Sequence, residues 1–205
     1  MNAQEYLKGT MERYLGELSA RSITPGGGSA AALTAALGAA LNLMVINYSI
    51  KDGEEVPEVL QAARERQQES LEHLSGLIDE DCRVFRKLMD TLSKKQDAQK
   101  EYIAAATVPM KICREAHISM DITDHLIDNA NRKLISDVGC AAQILNSAFY
   151  AAQLNVRINL GQVKDASFVK NADKALKTMY KDMEDADIRI INRVNNIIKS
   201  EVTHG

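Results

Sequence analysis

Residues 22–50 read SITPGGGSAAALTAALGAALNLMVINYSI, without one charged side chain. A run of this length can cross a bilayer. Its commonest residue is alanine, however, and Gly26, Gly27, Gly28, Thr34, Gly38, Asn42, Asn47 and Ser49 interrupt it. Alanine is only weakly apolar, and two Asn side chains are expensive in lipid. The run therefore predicts a helix over 29–51, buried on nearly all sides in a soluble protein. Ser29 is its expected N-cap. Ala31, Ala35, Gly38, Ala39 and Asn42 recur at three- and four-residue steps, which lets neighbouring helices, a symmetric partner's included, approach closely.

A helix this apolar needs other helices around it, and the rest of the chain supplies them. Residues 3–20 place Tyr6, Leu7, Met11, Tyr14, Leu15 and Leu18 at helical spacing. After a turn at Asp52-Gly53, Pro57 opens a long helix, 57–92, whose Glu65, Arg66, Glu69 and Glu72 form a solvated face. Helices over 96–107 and 109–129 are expected on either side of a break at Val108-Pro109. Ser136-Asp137 opens an apolar helix to Asn155, followed by a turn at Asn159-Leu160-Gly161. A last helix over 165–200 carries Leu176, Met179, Met183, Ile190, Val194 and Ile197. No segment alternates with period two. The expected fold is all-α: one domain over 1–205, an antiparallel bundle of long helices that dimerises.

Composition agrees. Of 205 residues 45% are hydrophobic but only 4% aromatic, so aliphatic side chains do the packing, which favours helices. The net charge of −3 and the lack of a dense basic run argue against a nucleic-acid partner. Cys82, Cys113 and Cys140 are scattered and odd in number, so they imply neither a disulfide framework nor a zinc site. The N-terminus MNAQEYLKGTMERYL is charged and has no apolar core of a signal sequence, which points to the cytoplasm. His73, His117, His125 and His204 form no metal constellation. Asp121 and His125, four apart on a helix, read as a surface pair, and no metal site is expected.

Four segments have residues suited to chemistry, each with a plain structural alternative. Gly26, Gly27, Gly28 and Ser29 precede a helix and leave N–H groups free to meet an electron-rich ligand, or else form a tight entry turn. In Asp79-Glu80-Asp81, Asp81 shares a helix face with Phe85; facing an apolar pocket it is a candidate general acid or base, and in water part of an acidic patch. Ser136 and Asp137 suit a ligand or a helix cap. Asn155, Arg157 and Asn159 suit the directional hydrogen bonds of a polar heterocycle, or a helix terminus.

The four segments also occur in a recognisable order. PGGGSAAALTAALGAALNLMV, an Asp-x-x-x-Phe element, ATVPM, and SDVGCAAQILNSAFYAAQLNVRINL together resemble the cyclodeaminase/cyclohydrolase family over about Tyr6 to Asp187. That family includes the C-terminal domain of formiminotransferase-cyclodeaminase and stand-alone methenyltetrahydrofolate cyclohydrolases. The resemblance implies an all-α homodimer with a folate pocket near the subunit interface, and a tetrahydrofolate derivative as substrate with no prosthetic group. It implies Asp81 as the catalytic carboxyl, with Gly26, Gly27, Gly28, Ser29, Phe85, Ser136, Asp137, Asn155, Arg157 and Asn159 shaping the site. The implied reaction is hydrolysis of 5,10-methenyltetrahydrofolate or cyclising deamination of 5-formiminotetrahydrofolate. The alternative is a non-catalytic folate-binding or helical assembly module. The chain departs from the family pattern at Val84, where alanine is common, and at Leu92-Ser93-Lys94-Lys95-Gln96, where a Pro-Lys element is common. Both departures lie beside the expected active site.

Overall fold

The computed structural model describes residues 5–50, 53 and 55–202. Six α-helices follow one another: α1 (Met11–Ser19), α2 (Gly27–Ser49), α3 (Glu58–Ser93), α4 (Gln99–Asn129), α5 (Ile135–Leu160) and α6 (Ala166–Val202), with a 3₁₀ turn at Arg132–Leu134. No strand occurs among the described residues. Asp52 of the expected turn, residues 3 and 4 of the expected first helix, and His204 lie outside the described residues; Gly53 has φ +80°, as a glycine turn requires.

Helices α2 to α5 run up and down and pack as a four-helix bundle, with α6 against α4 and α5. The uncharged segment forms α2, which packs against α3, α4 and α5 but is not buried on nearly all sides, since Leu37 and Tyr48 face solvent. Ala31, Ala32, Ala35, Gly38, Ala39, Val45 and Ile46 are buried there. A Cβ on Gly38 would stand 2.7 Å from Leu145 Cγ, so the absence of a side chain sets the α2–α5 spacing. Asn42 is fully buried, and protein groups replace its water. Its Nδ2 lies 3.0 Å from both Gln67 Oε1 and the Ser119 carbonyl, and its Oδ1 accepts from Thr123 Oγ1 at 3.1 Å. One polar residue thereby ties α2 to α3 and α4, with both ends of its amide hydrogen-bonded.

Four expectations change. The break at Val108-Pro109 is absent: α4 runs through Pro109. Proline has no N–H for the carbonyl of Ala105, four residues back, and Asn159 Nδ2 donates to that carbonyl instead, at 2.9 Å. Helix α2 begins before Ser29, with Gly26 in the cap position and no side-chain cap from its own chain segment. Ser136 and Asp137 lie inside the first turn of α5, behind the 3₁₀ turn, so they do not cap it. The first helix is also shorter than expected, starting at Met11. Its apolar set splits: Tyr6 and Tyr14 are buried and pack edge to face, while Leu7, Met11 and Leu15 face solvent.

Candidate active site

The up-down order brings the start of α2, the second half of α3, the start of α4 and the end of α5 to one end of the bundle. Between them lies a cavity of about 250 Å³. Val84, Phe85, Leu88, Met89 and Leu92 of α3, Tyr102 of α4 and Ile158 of α5 give it apolar walls. Asp81, Asn155, Asn159 and the glycines of the α2 entry supply the polar groups.

The acidic triplet on α3 separates into three roles. Asp79 accepts the Tyr6 backbone N–H at 2.7 Å, and Glu80 pairs with Lys111 at 3.0 Å. Asp81 alone faces the cavity. Burial pushes its carboxyl up to about 6, against a smaller opposing effect from the backbone N–H of Ser29. That N–H belongs to the first turn of α2, whose own cap residue is glycine. Asp81 thus does for α2, from a different helix, what an N-cap side chain does. The positive end of the helix dipole favours the carboxylate, and the apolar walls favour the acid. The result is a group that gives and takes protons near neutral pH.

The contact explains one glycine of the three. A Cβ on Gly28 would stand 2.1 Å from Asp81 Oδ1, so any side chain there displaces the carboxyl. At Gly27 a Cβ would meet Asn155 Nδ2 at 3.4 Å, an ordinary contact, and at Gly26 nothing lies within 4 Å. Neither Gly26, Gly27 nor Gly28 has positive φ. The run serves close approach, not a left-handed turn.

Behind this contact, Ser29 Oγ lies 3.1 Å from the Tyr14 hydroxyl, and Arg86 Nη1 donates to Thr24 Oγ1 at 2.9 Å, holding the loop before α2. Cys82, beside Ser29, is fully buried, and burial pushes its thiol up to about 11. Such a thiol stays protonated and is no nucleophile.

Helix α5 positions the remaining residues. It continues to Leu160, so Asn155, Arg157 and Asn159 lie on a helix and not at a turn. Asn155 and Asn159, four apart, share the cavity face, while Arg157 is two residues round and turns away. In the amide orientation that satisfies both side chains, Gln153 accepts from Arg157 Nη2 at 2.8 Å and Nε at 3.2 Å. Arg157 lines a separate surface groove with Lys164 and Lys170. Ser136 and Asp137 are removed from the cavity: 18 residues of helix, about 27 Å, separate Asp137 from Asn155. The start of α5 instead lies by the end of α2, where the Asn131 N–H donates to Ser49 Oγ at 2.7 Å. The structure thus gathers Asp81, Gly26, Gly27, Gly28, Phe85, Asn155 and Asn159 at one cavity, with Ser29 behind it, and leaves out Arg157, Ser136 and Asp137. The sequence reading missed the wall residues Tyr102, Leu88 and Met89, whose apolar side chains look like any helix core until the cavity is seen.

No metal constellation of His, Cys, Asp and Glu occurs among the described residues. The ring of His125 meets the backbone carbonyl of Asp121 at 2.7 Å and not its carboxylate.

The formiminotransferase-cyclodeaminase family profile matches residues 10–178. The chain is 31% identical to methenyltetrahydrofolate cyclohydrolase of Methylorubrum extorquens, over 94% of this chain and 97% of that one. It is 28% identical to formimidoyltransferase-cyclodeaminase of Gallus gallus, over 78% of this chain and 33% of the longer relative. The solved structure of formiminotetrahydrofolate cyclodeaminase from Thermotoga maritima superposes with a TM-score of 0.87 at 27% identity, covering 93% of this chain and 98% of that one.

Proposed function

The chain belongs to the formiminotransferase-cyclodeaminase family, and from this we propose that it makes or opens the methenyl bridge between N5 and N10 of tetrahydrofolate, with Asp81 moving the protons. It is a folate one-carbon enzyme, a cyclohydrolase or cyclodeaminase. The single observation that carries the role of Asp81 is its place: a carboxyl with its proton affinity raised to about 6, held on the N-terminus of α2 as the one carboxyl among the described residues that line a largely apolar cavity.

Both reactions pass through a tetrahedral carbon and need proton transfer. In hydrolysis, Asp81 takes a proton from water as the oxygen bonds to the methenyl carbon. The carbon–N5 bond then breaks, and Asp81 returns the proton to N5. The remaining hydroxyl proton leaves to solvent as the carbonyl forms, giving 10-formyltetrahydrofolate. In deamination, N10 bonds to the formimino carbon and its proton passes to the formimino nitrogen. Asp81 donates a second proton to that nitrogen, the bond from carbon to it breaks, and ammonia departs, leaving the methenyl cation. One carboxyl serves either route, typically for ~10²–10⁴ in rate. Neither route calls on a prosthetic group.

Of the two we favour hydrolysis, because the match to a cyclohydrolase spans nearly all of both chains at 31% identity. The match to a full-length cyclodeaminase structure supports the second reading. An absorbance assay of the methenyl chromophore separates them. Catalysed loss from 5,10-methenyltetrahydrofolate, above the spontaneous rate, establishes the hydrolase. Catalysed gain from 5-formiminotetrahydrofolate with release of ammonia establishes the deaminase. No catalysis by folded protein leaves a folate-binding or assembly module.

The working unit in this reading is a homodimer. The adjacent helices α2 and α5 leave Leu37 and Tyr48, and Leu154 and Ile158, in solvent, and Ile158 also lines the cavity. A partner on this face covers apolar surface and narrows the cavity mouth. Ser136 and Asp137 take part in a folate site only if the partner supplies them. Light scattering during size-exclusion chromatography tests the mass. The unpaired thiols of Cys82, Cys113 and Cys140 suit a reducing cytoplasm.

A further inference from the structure

Asn155 and Asn159 stand one turn apart on the α5 face that lines the cavity. An amide side chain can present either its oxygen or its nitrogen to a ligand, and here the surroundings decide which. Asn159 Nδ2 donates to the Ala105 carbonyl at 2.9 Å and to the Asn155 carbonyl at 2.8 Å. Asn155 Nδ2 donates to the Ala151 carbonyl at 2.9 Å. Carbonyl oxygens only accept, so turning either amide over would set oxygen against oxygen. The Ala105 carbonyl is available because Pro109 has no N–H to give it. Both Oδ1 atoms remain as acceptors, with no hydrogen bond to either among the described residues.

We infer that Asn155 and Asn159 read the donor edge of the substrate's reduced pterin, accepting from its ring N8–H and its exocyclic 2-amino group. This rests on the folate reading above. N5 lies opposite N8 in the reduced ring, so a pterin held by its N8 and 2-amino edge against α5 turns its one-carbon edge away from α5, towards Asp81 on α3. The pair also rejects heterocycles whose acceptors fall at this edge, because acceptor would face acceptor.

The test uses binding of tetrahydrofolate and two analogues, one with methyl in place of the 2-amino group and one with CH₂ in place of N8–H. Wild type should bind each analogue about tenfold more weakly, the size of one unmade hydrogen bond at a buried acceptor. In Asn155→Ala and Asn159→Ala, checked for fold by circular dichroism, tetrahydrofolate should weaken while the discrimination falls towards onefold for at least one analogue. A merely structural role would weaken all three ligands together and keep their ratios. Should Asn159→Ala not fold, Asn155→Ala and the wild-type ratios still decide. Equal binding of all three ligands by wild type would overturn this assignment alone. Failure of wild type to bind tetrahydrofolate at all would overturn the folate reading and this assignment with it.

Discussion

Asp81 works because two opposed influences meet on one carboxyl. Burial raises its proton affinity to about 6, while the Ser29 N–H and the α2 dipole keep the carboxylate accessible. The pH dependence of turnover therefore reports on its role. If hydrolysis uses the carboxylate, kcat/KM rises with pH and levels off above about 6; if deamination uses the acid, it falls above about 6. A profile flat from pH 5 to 8 in both assays would contradict either use. The neighbouring glycines give a second test. Gly28→Ala should cost ~10²–10⁴ in kcat by displacing the carboxyl, and Gly27→Ala should stay within severalfold. Equal effects on steady-state kinetics would contradict the contact. At this scale the sequence was only partly legible. It marked Asp81 and the glycine run, but Asp79, Glu80 and Asp81 look alike as letters. Which one meets an apolar cavity depends on the rotation of α3 against its neighbours, and no local pattern encodes that. Arg157 was misplaced because alternating polar letters suggested one shared site, while the helical period sends it to another face.

The elements hold the same lesson in their ends and irregularities. Helix α2 has glycine where a capping side chain would normally stand, and α3 supplies the cap. Helix α4 keeps its course through Pro109, and the carbonyl this frees fixes an amide on α5. Both faults in local structure become ties across the active site. Pro109→Ala gives α4 its missing N–H, which competes with Asn159 for the Ala105 carbonyl. The variant should be as stable as wild type or more so, since proline is unfavourable in a helix interior, yet its KM for folate should rise severalfold. Stability comes from urea denaturation and KM from the absorbance assay; an unchanged KM would contradict the link between α4 and Asn159. A proline read alone predicts a break between two helices. Its tolerance depends on a donor fifty residues further along the chain, which propensity does not report.

At the scale of the whole molecule the reading was close. Apolar periodicity and scarce turn residues foretold an all-helical bundle, and the small residues of α2 foretold its close packing, though not the side it leaves in solvent. Those features record burial directly, whereas the site depends on how helix ends meet. Asn42 illustrates the division: its presence argued against a membrane span, but its partners Gln67, Ser119 and Thr123 appear only in the fold. Asn42→Ala strands these groups in the core and should cost about 2–4 kcal/mol in chemical denaturation. Because Asn42 lies about 21 Å along α2 from Gly28, kcat/KM of the folded fraction should not change; a marginal loss of stability would mean that water replaces the amide. Asp81 also links site to stability. Its folded-state proton affinity is raised, so wild type gains its favourable protonation below about pH 4 and loses up to about 3 kcal/mol as pH rises to about 6 and above. Asp81→Asn, which carries no charge, should therefore be the more stable protein at pH 8. The most direct test of the whole account is this variant in the methenyl absorbance assay, with tetrahydrofolate binding measured on the same preparation. We predict catalysed turnover at the level of the spontaneous reaction, folate binding within severalfold of wild type, and an intact fold. Turnover near that of wild type would contradict the assignment of Asp81 and, with it, the proposed chemistry of the cavity.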